Sequence, residues 1–96
     1  MLFRSQDSLT LAIFLWIQKE EGNRFKGNTL ELRKKLLATA KSEELDSSWW
    51  PERLNWFSKR VMDRARRLKK LGIIARRLTD EHRSWEIAVE GGERRQ

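Results

Sequence analysis

The segment NWFSKRVMDRARRLKKLGIIARR, residues 55–77, carries nine Lys or Arg against a single acid, Asp63. Through its first part Phe57, Val61, Leu68 and Leu71 recur at helical spacing. Drawn on a wheel at roughly 100° per residue, these four fall with Leu54 and Ala65 inside an arc of about 100°, the width of a core-facing stripe. Opposite them lie Asn55, Trp56, Lys59, Asp63, Arg66 and Lys70, flanked by Arg60 and Arg67. The spacing predicts a helix over 51–71 with one side in a core and the other almost wholly cationic. Pro51 suits the first helical position, where its missing N–H costs nothing, and Ser47 or Ser48 stands upstream as a cap. Gly72 suits the left-handed residue that closes a helix.

Outward from this segment the chain alternates in character. Downstream, the β-branched residues of IIARRLTD and the alternation of Trp85, Ile87 and Val89 predict a hairpin over 73–79 and 84–90, joined by the polar DEHRS. Upstream, Thr29 is the expected cap of a helix over 30–41, with Glu31 in the first turn, where the helix dipole favours an acid. Its expected buried face is Leu30, Leu36, Leu37 and Ala40, with Arg33, Lys34 and Lys35 outside. A first helix is expected from a cap at Asp7 or Ser8 to about Glu20. Leu9, Ile13, Trp16 and Ile17 follow the helical period, and Leu11, Ala12, Phe14 and Leu15 widen the stripe. A helix so apolar belongs deep in the domain or against a second copy, which makes it the candidate homodimer surface. EEGNRFKGN breaks it, and Phe25 is expected in a short extended piece pairing with a later strand. The expected organisation is an extension over 1–6, one domain over 7–90 and a disordered tail over 91–96.

The charge is localised. Residues 53–77 hold ten basic side chains against Asp63, a net of +9, so the remainder of a chain whose total is +7 sums to −2. Clustered cations beside a mildly acidic body form an electrostatic footprint for a polyanion. Cysteine is absent, which excludes disulfides and thiolate metal sites. The apolar run 9–17 is far short of the roughly 20 residues that span a bilayer, and no secretory signal is legible; the expectation is a soluble cytoplasmic protein without a membrane partner. Enzyme chemistry finds no constellation. His82 is the lone histidine, the acids Glu43, Glu44 and Asp46 sit in a serine-rich loop, Ser47-Ser48 has no nearby histidine, and GNRFKGN lacks the ending of a phosphate-binding loop. No metal or cofactor is expected. Of the five tryptophans, Trp50 reads as a core plug before Pro51 and Trp56 as the best candidate for exposure.

Helix, short extended piece, helix, loop, long basic helix, glycine, hairpin is the order of a winged helix-turn-helix. The expected fold is therefore mainly α with a small antiparallel β hairpin, three main helices plus a wing. In that architecture the third helix enters a major groove and the hairpin reaches neighbouring backbone. The candidate DNA contacts are Asn55, Trp56, Lys59, Arg60, Asp63, Arg66, Arg67 and Lys70 from the helix. From the wing they are Arg76, Arg77, His82 and Arg83, with Arg33, Lys34 and Lys35 as further backbone contacts. Duplex DNA is preferred over single strands as the partner.

FKGNTLELRKKL, then a loop, then WPERLNWFSKRVMDRARRLKKLGI and a hairpin, resembles the winged-helix domain at the C-terminus of plasmid, phage and integrative-element primase-helicase replication proteins. Gly27 and Thr29, Trp50-Pro51, Arg60-Val61, Leu68 and Gly72-Ile73 carry the resemblance, over about residues 7–90. Asn28 is interposed, and Arg64 stands where the family tends to have an apolar residue. The resemblance implies a DNA-binding accessory module of a replication protein, without catalysis, that meets replication-protein partners. A dimeric transcription regulator on the same scaffold and a protein-interaction module are the alternatives.

Overall fold

The structure, a computed structural model, describes residues 8–78 and 84–90. It is mainly helical with a small three-stranded antiparallel sheet. In chain order, α1 (Ser8–Lys19) passes through a 3-10 turn (Glu21–Asn23) into β1 (Arg24–Gly27), followed by α2 (Thr29–Ser42), α3 (Leu54–Asp63), α4 (Ala65–Lys70), β2 (Ile73–Arg77) and β3 (Trp85–Val89). The sheet order is β1-β3-β2. Phe25 faces Ile87, which faces Ala75; Lys26 faces Glu86, which faces Arg76; Gly27 faces Trp85, which faces Arg77. The extended piece around Phe25 thus completes the sheet along the free edge of β3.

Strand alternation places Phe25, Trp85, Ile87 and Ile73 on one face of the sheet, and these four are buried. They join Leu9, Ile13, Trp16 and Ile17 of α1, Leu32, Leu36 and Ala40 of α2, and Phe57, Val61 and Leu68 of α3 and α4 in one core. Trp16 meets Phe25 edge to face at 5.1 Å, a geometry the ring quadrupoles favour. Each fully buried side chain of this size contributes roughly 1.5–3 kcal/mol of transfer free energy. Gly27 is required beside this layer, because a Cβ there would stand 2.7 Å from the Phe25 ring.

Several expected details are corrected. The long helix begins at Leu54 and not at Pro51: the Pro51 carbonyl accepts from Arg33 Nε at 3.1 Å, and Arg53 is extended. It is also interrupted at Arg64, whose N–H bonds to the Val61 carbonyl at 2.9 Å in a tightened turn, so α3 and α4 replace one continuous rod. Neither Ser47 nor Ser48 caps it. Instead Asp46 Oδ1 accepts from the Ser48 N–H at 3.0 Å and from its hydroxyl at 2.6 Å, forming a local turn. For α2 the cap is Asn28, whose Oδ1 accepts from the Glu31 N–H at 2.9 Å; Thr29 is the first helical residue. The buried face of α2 is Leu32, Leu36 and Ala40, with Leu37 half-buried. Leu30 is 46% exposed, Leu54 39% and Leu71 48%; all three sit at helix ends.

Gly72 closes α4 as expected. Its φ of +85° lies in the left-handed region that glycine enters without steric cost. Its N–H bonds to the Lys69 carbonyl at 3.0 Å, and its carbonyl accepts from Glu90 at 2.6 Å, which starts the hairpin in register. The first helix runs over nearly the expected span, and its apolar stripe is covered by α2 and the sheet. Leu11, Phe14 and Leu15 remain half-buried on it. Asp7, the extension over 1–6 and the tail over 91–96 lie outside the described residues.

Candidate nucleic-acid interface

The outer face of α3 and α4 is assembled by burial of its back. Phe57, Ser58, Val61 and Leu68 are fixed in the core, which turns the intervening positions to solvent. Asn55, Trp56, Lys59, Arg60, Asp63, Arg66, Arg67 and Lys70 are all exposed. The interruption at Arg64 divides them between α3 and α4 and leaves each of them exposed. Five of the eight are cations, and Asp63 is the single acid. The Lys59 Nζ lies over the Trp56 ring, 5.1 Å from its centroid, while Trp56 remains 51% exposed.

The wing cations divide. Arg76 is exposed on the outer face of the sheet and pairs with Glu86 at 2.6 Å. That hydrogen bond is the main cause holding the Glu86 carboxyl below its ordinary range; partial burial opposes it, and the charges of Arg76, Lys26 and Arg24 reinforce it. Arg77, one residue on, points inward. Its guanidinium donates to the Ser58 hydroxyl and lies over the Trp85 ring at 5.5 Å. It fastens the sheet to α3 rather than facing outward with the others. His82 and Arg83 lie outside the described residues.

The second helix likewise contributes less than expected. Arg33 is half-buried, bonded to the Pro51 carbonyl and stacked over Phe57 at 5.8 Å. Lys35 pairs with Glu20 at 3.3 Å; Lys34 is exposed. In compensation three exposed cations were missed. Lys69, with Arg66, rims a groove between α4 and β2 whose floor is Ala65, Ile73, Ile74 and Ala75. Arg24 and Lys26 share the outer sheet face with Arg76. The signal for these two was the alternation of RFKG: a strand that turns Phe25 inward turns both its neighbours outward.

Arg64, conspicuous in the sequence, is half-buried with its guanidinium over the Trp49 ring at 5.6 Å. An arginine over an aromatic face can bury its aliphatic stem much as an apolar side chain does. Among the described residues no group of three or more His, Asp or Glu is placed to hold a metal ion, and no helix is long and apolar enough to cross a membrane. No family model, curated protein or solved structure matches the chain.

Proposed function

We propose that this chain is a winged-helix DNA-binding domain that binds duplex DNA, with α3 and α4 in the major groove and the β2–β3 hairpin as the wing. The observation that carries the reading is the set of exposed cations on α3 and α4, backed by core residues on helices that pack beside an antiparallel sheet. The element order and the sheet order β1-β3-β2 are compatible with this architecture. A major groove admits one α-helix, so a groove-facing side must be polar while its back is anchored. The affinity is mainly phosphate neutralisation. The primase-helicase resemblance extends the proposal to an accessory role in the replication of a mobile element.

The test is a fluorescence-anisotropy titration of duplex DNA at several salt concentrations. With about four to six phosphates neutralised, log K is expected to fall against log salt with a slope of roughly −4 to −5. Replacing Arg60, Arg66 and Lys70 together by Ala should weaken binding to every duplex and flatten that slope. Unchanged affinity in the triple variant refutes the assignment of this face, and salt-insensitive or absent DNA binding favours an acidic protein partner instead.

A further inference from the structure

Trp56 is out of place on a face built for base edges and phosphates. Of the described tryptophans, Trp16, Trp50 and Trp85 are buried and Trp49 is half-buried, whereas Trp56 is 51% exposed. It stands within the cationic arc, with Lys59 and Arg60 one turn further along the same side. Lys59 covers one face of the indole at 5.1 Å, so the free area belongs to the rest of the ring. An indole offers one hydrogen-bond donor and no acceptor, which suits it poorly to the donor and acceptor pattern of a groove floor. What it offers is a flat π surface of large area among phosphate-seeking charges. Paired bases keep their faces covered by their neighbours in the stack; an unpaired base presents a face. Base on aromatic stacking is sequence-tolerant and flanked in such sites by cations that track the backbone.

We propose that Trp56 is a stacking platform for an unpaired base, so that this face prefers DNA in which duplex adjoins single strand. The preference rests on the DNA-binding reading above. The surrounding cations hold the duplex backbone, and the indole takes the first base that leaves the stack, with the Lys59 ammonium against the opposite face of the ring.

The test compares blunt duplex, the same duplex carrying an oligo-dT extension, and oligo-dT alone, by anisotropy at fixed salt. The proteins are the native chain, Trp56→Phe, Trp56→Ala and the Arg60, Arg66 and Lys70 triple variant. The side chain is exposed and alanine favours helix, so Trp56→Ala should keep the thermal melt of the native chain. The native chain should bind the extended duplex more tightly than the blunt one. Trp56→Ala should lose roughly 5- to 150-fold on the extended duplex and little on the blunt, and Trp56→Phe should retain most of the preference. Indole emission should be quenched by the extended duplex, and that quench should vanish in Trp56→Phe.

Equal losses on all three DNAs overturn the stacking role. So does a loss on blunt duplex that follows its thymine content, since that would mark contact with thymine methyl groups. If the triple variant weakens every DNA while Trp56→Ala discriminates among none, this inference alone fails. If the native chain binds no DNA, the parent reading fails with it.

Discussion

The guanidinium of Arg77 on β2 donates to the hydroxyl of Ser58 on α3, and it rests on the buried ring of Trp85 on β3. One side chain thus ties the basic helix to the sheet beside it. Within a tract of cations, this one is structural. Arg77→Ala should cost roughly 1.5–3 kcal/mol, the range for a hydrogen bond to a charged donor. For a domain of this size that lowers Tm by about 4–8 °C per kcal/mol, read by a circular-dichroism melt. Its salt slope on DNA should stay that of the native chain. Arg60→Ala should do the opposite, leaving Tm in place and reducing the slope by about 0.9. The reverse pattern would exchange the two roles.

Ser8 is a second fastening point. Its buried hydroxyl donates to the Asp46 carbonyl at 2.6 Å and accepts from the indole N–H groups of Trp49 at 3.0 Å and Trp50 at 3.1 Å. Ser8→Ala strands the buried Trp50 N–H without an acceptor. The expected loss is about 1–3 kcal/mol, partly offset by the better helix propensity of alanine. The melt reports the total. Faster amide exchange at residues 46–50 should accompany it, because that hydroxyl bonds this loop to α1 at three points.

Periodicity carried most of the fold. The stripe Leu9, Ile13, Trp16 and Ile17, the stripe Phe57, Val61 and Leu68, and the alternation Trp85, Ile87 need only a helix or strand period to be placed, and all are buried. Helix ends were illegible, since they depend on tertiary partners. The Arg33 bond to the Pro51 carbonyl delays α3, and Asn28 rather than Thr29 receives the Glu31 N–H. The candidate site was legible where exposure follows from the wheel, as at Lys59, Arg60 and Lys70. It was not where a cation folds back onto an aromatic ring: Arg33 on Phe57, Arg64 on Trp49 and Arg77 on Trp85 are indistinguishable in sequence from solvated arginines. The outer sheet face was missed because it joins residues from β1, β2 and β3 whose register only long-range pairing sets.

Acid should weaken the domain through that sheet face. Arg76 holds Glu86 below its ordinary 4.5, and the Ser48 hydroxyl and N–H hold Asp46 below its ordinary 3.8. A carboxyl with a depressed folded pKa binds protons more weakly when folded than when unfolded. The stability it contributes is complete above the ordinary value and is lost as pH falls through the folded one. Tm should therefore decline below about pH 4.5. Glu86→Gln should lower Tm at neutral pH and make the decline shallower. An equally steep acid limb in that variant would move its origin to other carboxyls.

The exposed and buried ends of one apolar stripe give a further test. Phe57 is 0% exposed, packed at 6.2 Å from Trp50 and stacked under Arg33, whereas Leu54, three residues earlier, is 39% exposed. Both belong to the same arc of the wheel, so the sequence alone weights them alike. Phe57→Ala opens a cavity where α2, α3 and the Trp50 plug meet, at about 3–5 kcal/mol. That is a large share of the roughly 5–15 kcal/mol that holds a small domain folded, so a broadened, much lower melt is expected. Leu54→Ala removes a partly solvated side chain at a helix start and should stay within about 0.5 kcal/mol of the native value. Chemical denaturation at neutral pH separates the two. Comparable losses at both positions would mean that α3 begins earlier in solution and carries its stripe into the core from its first turn.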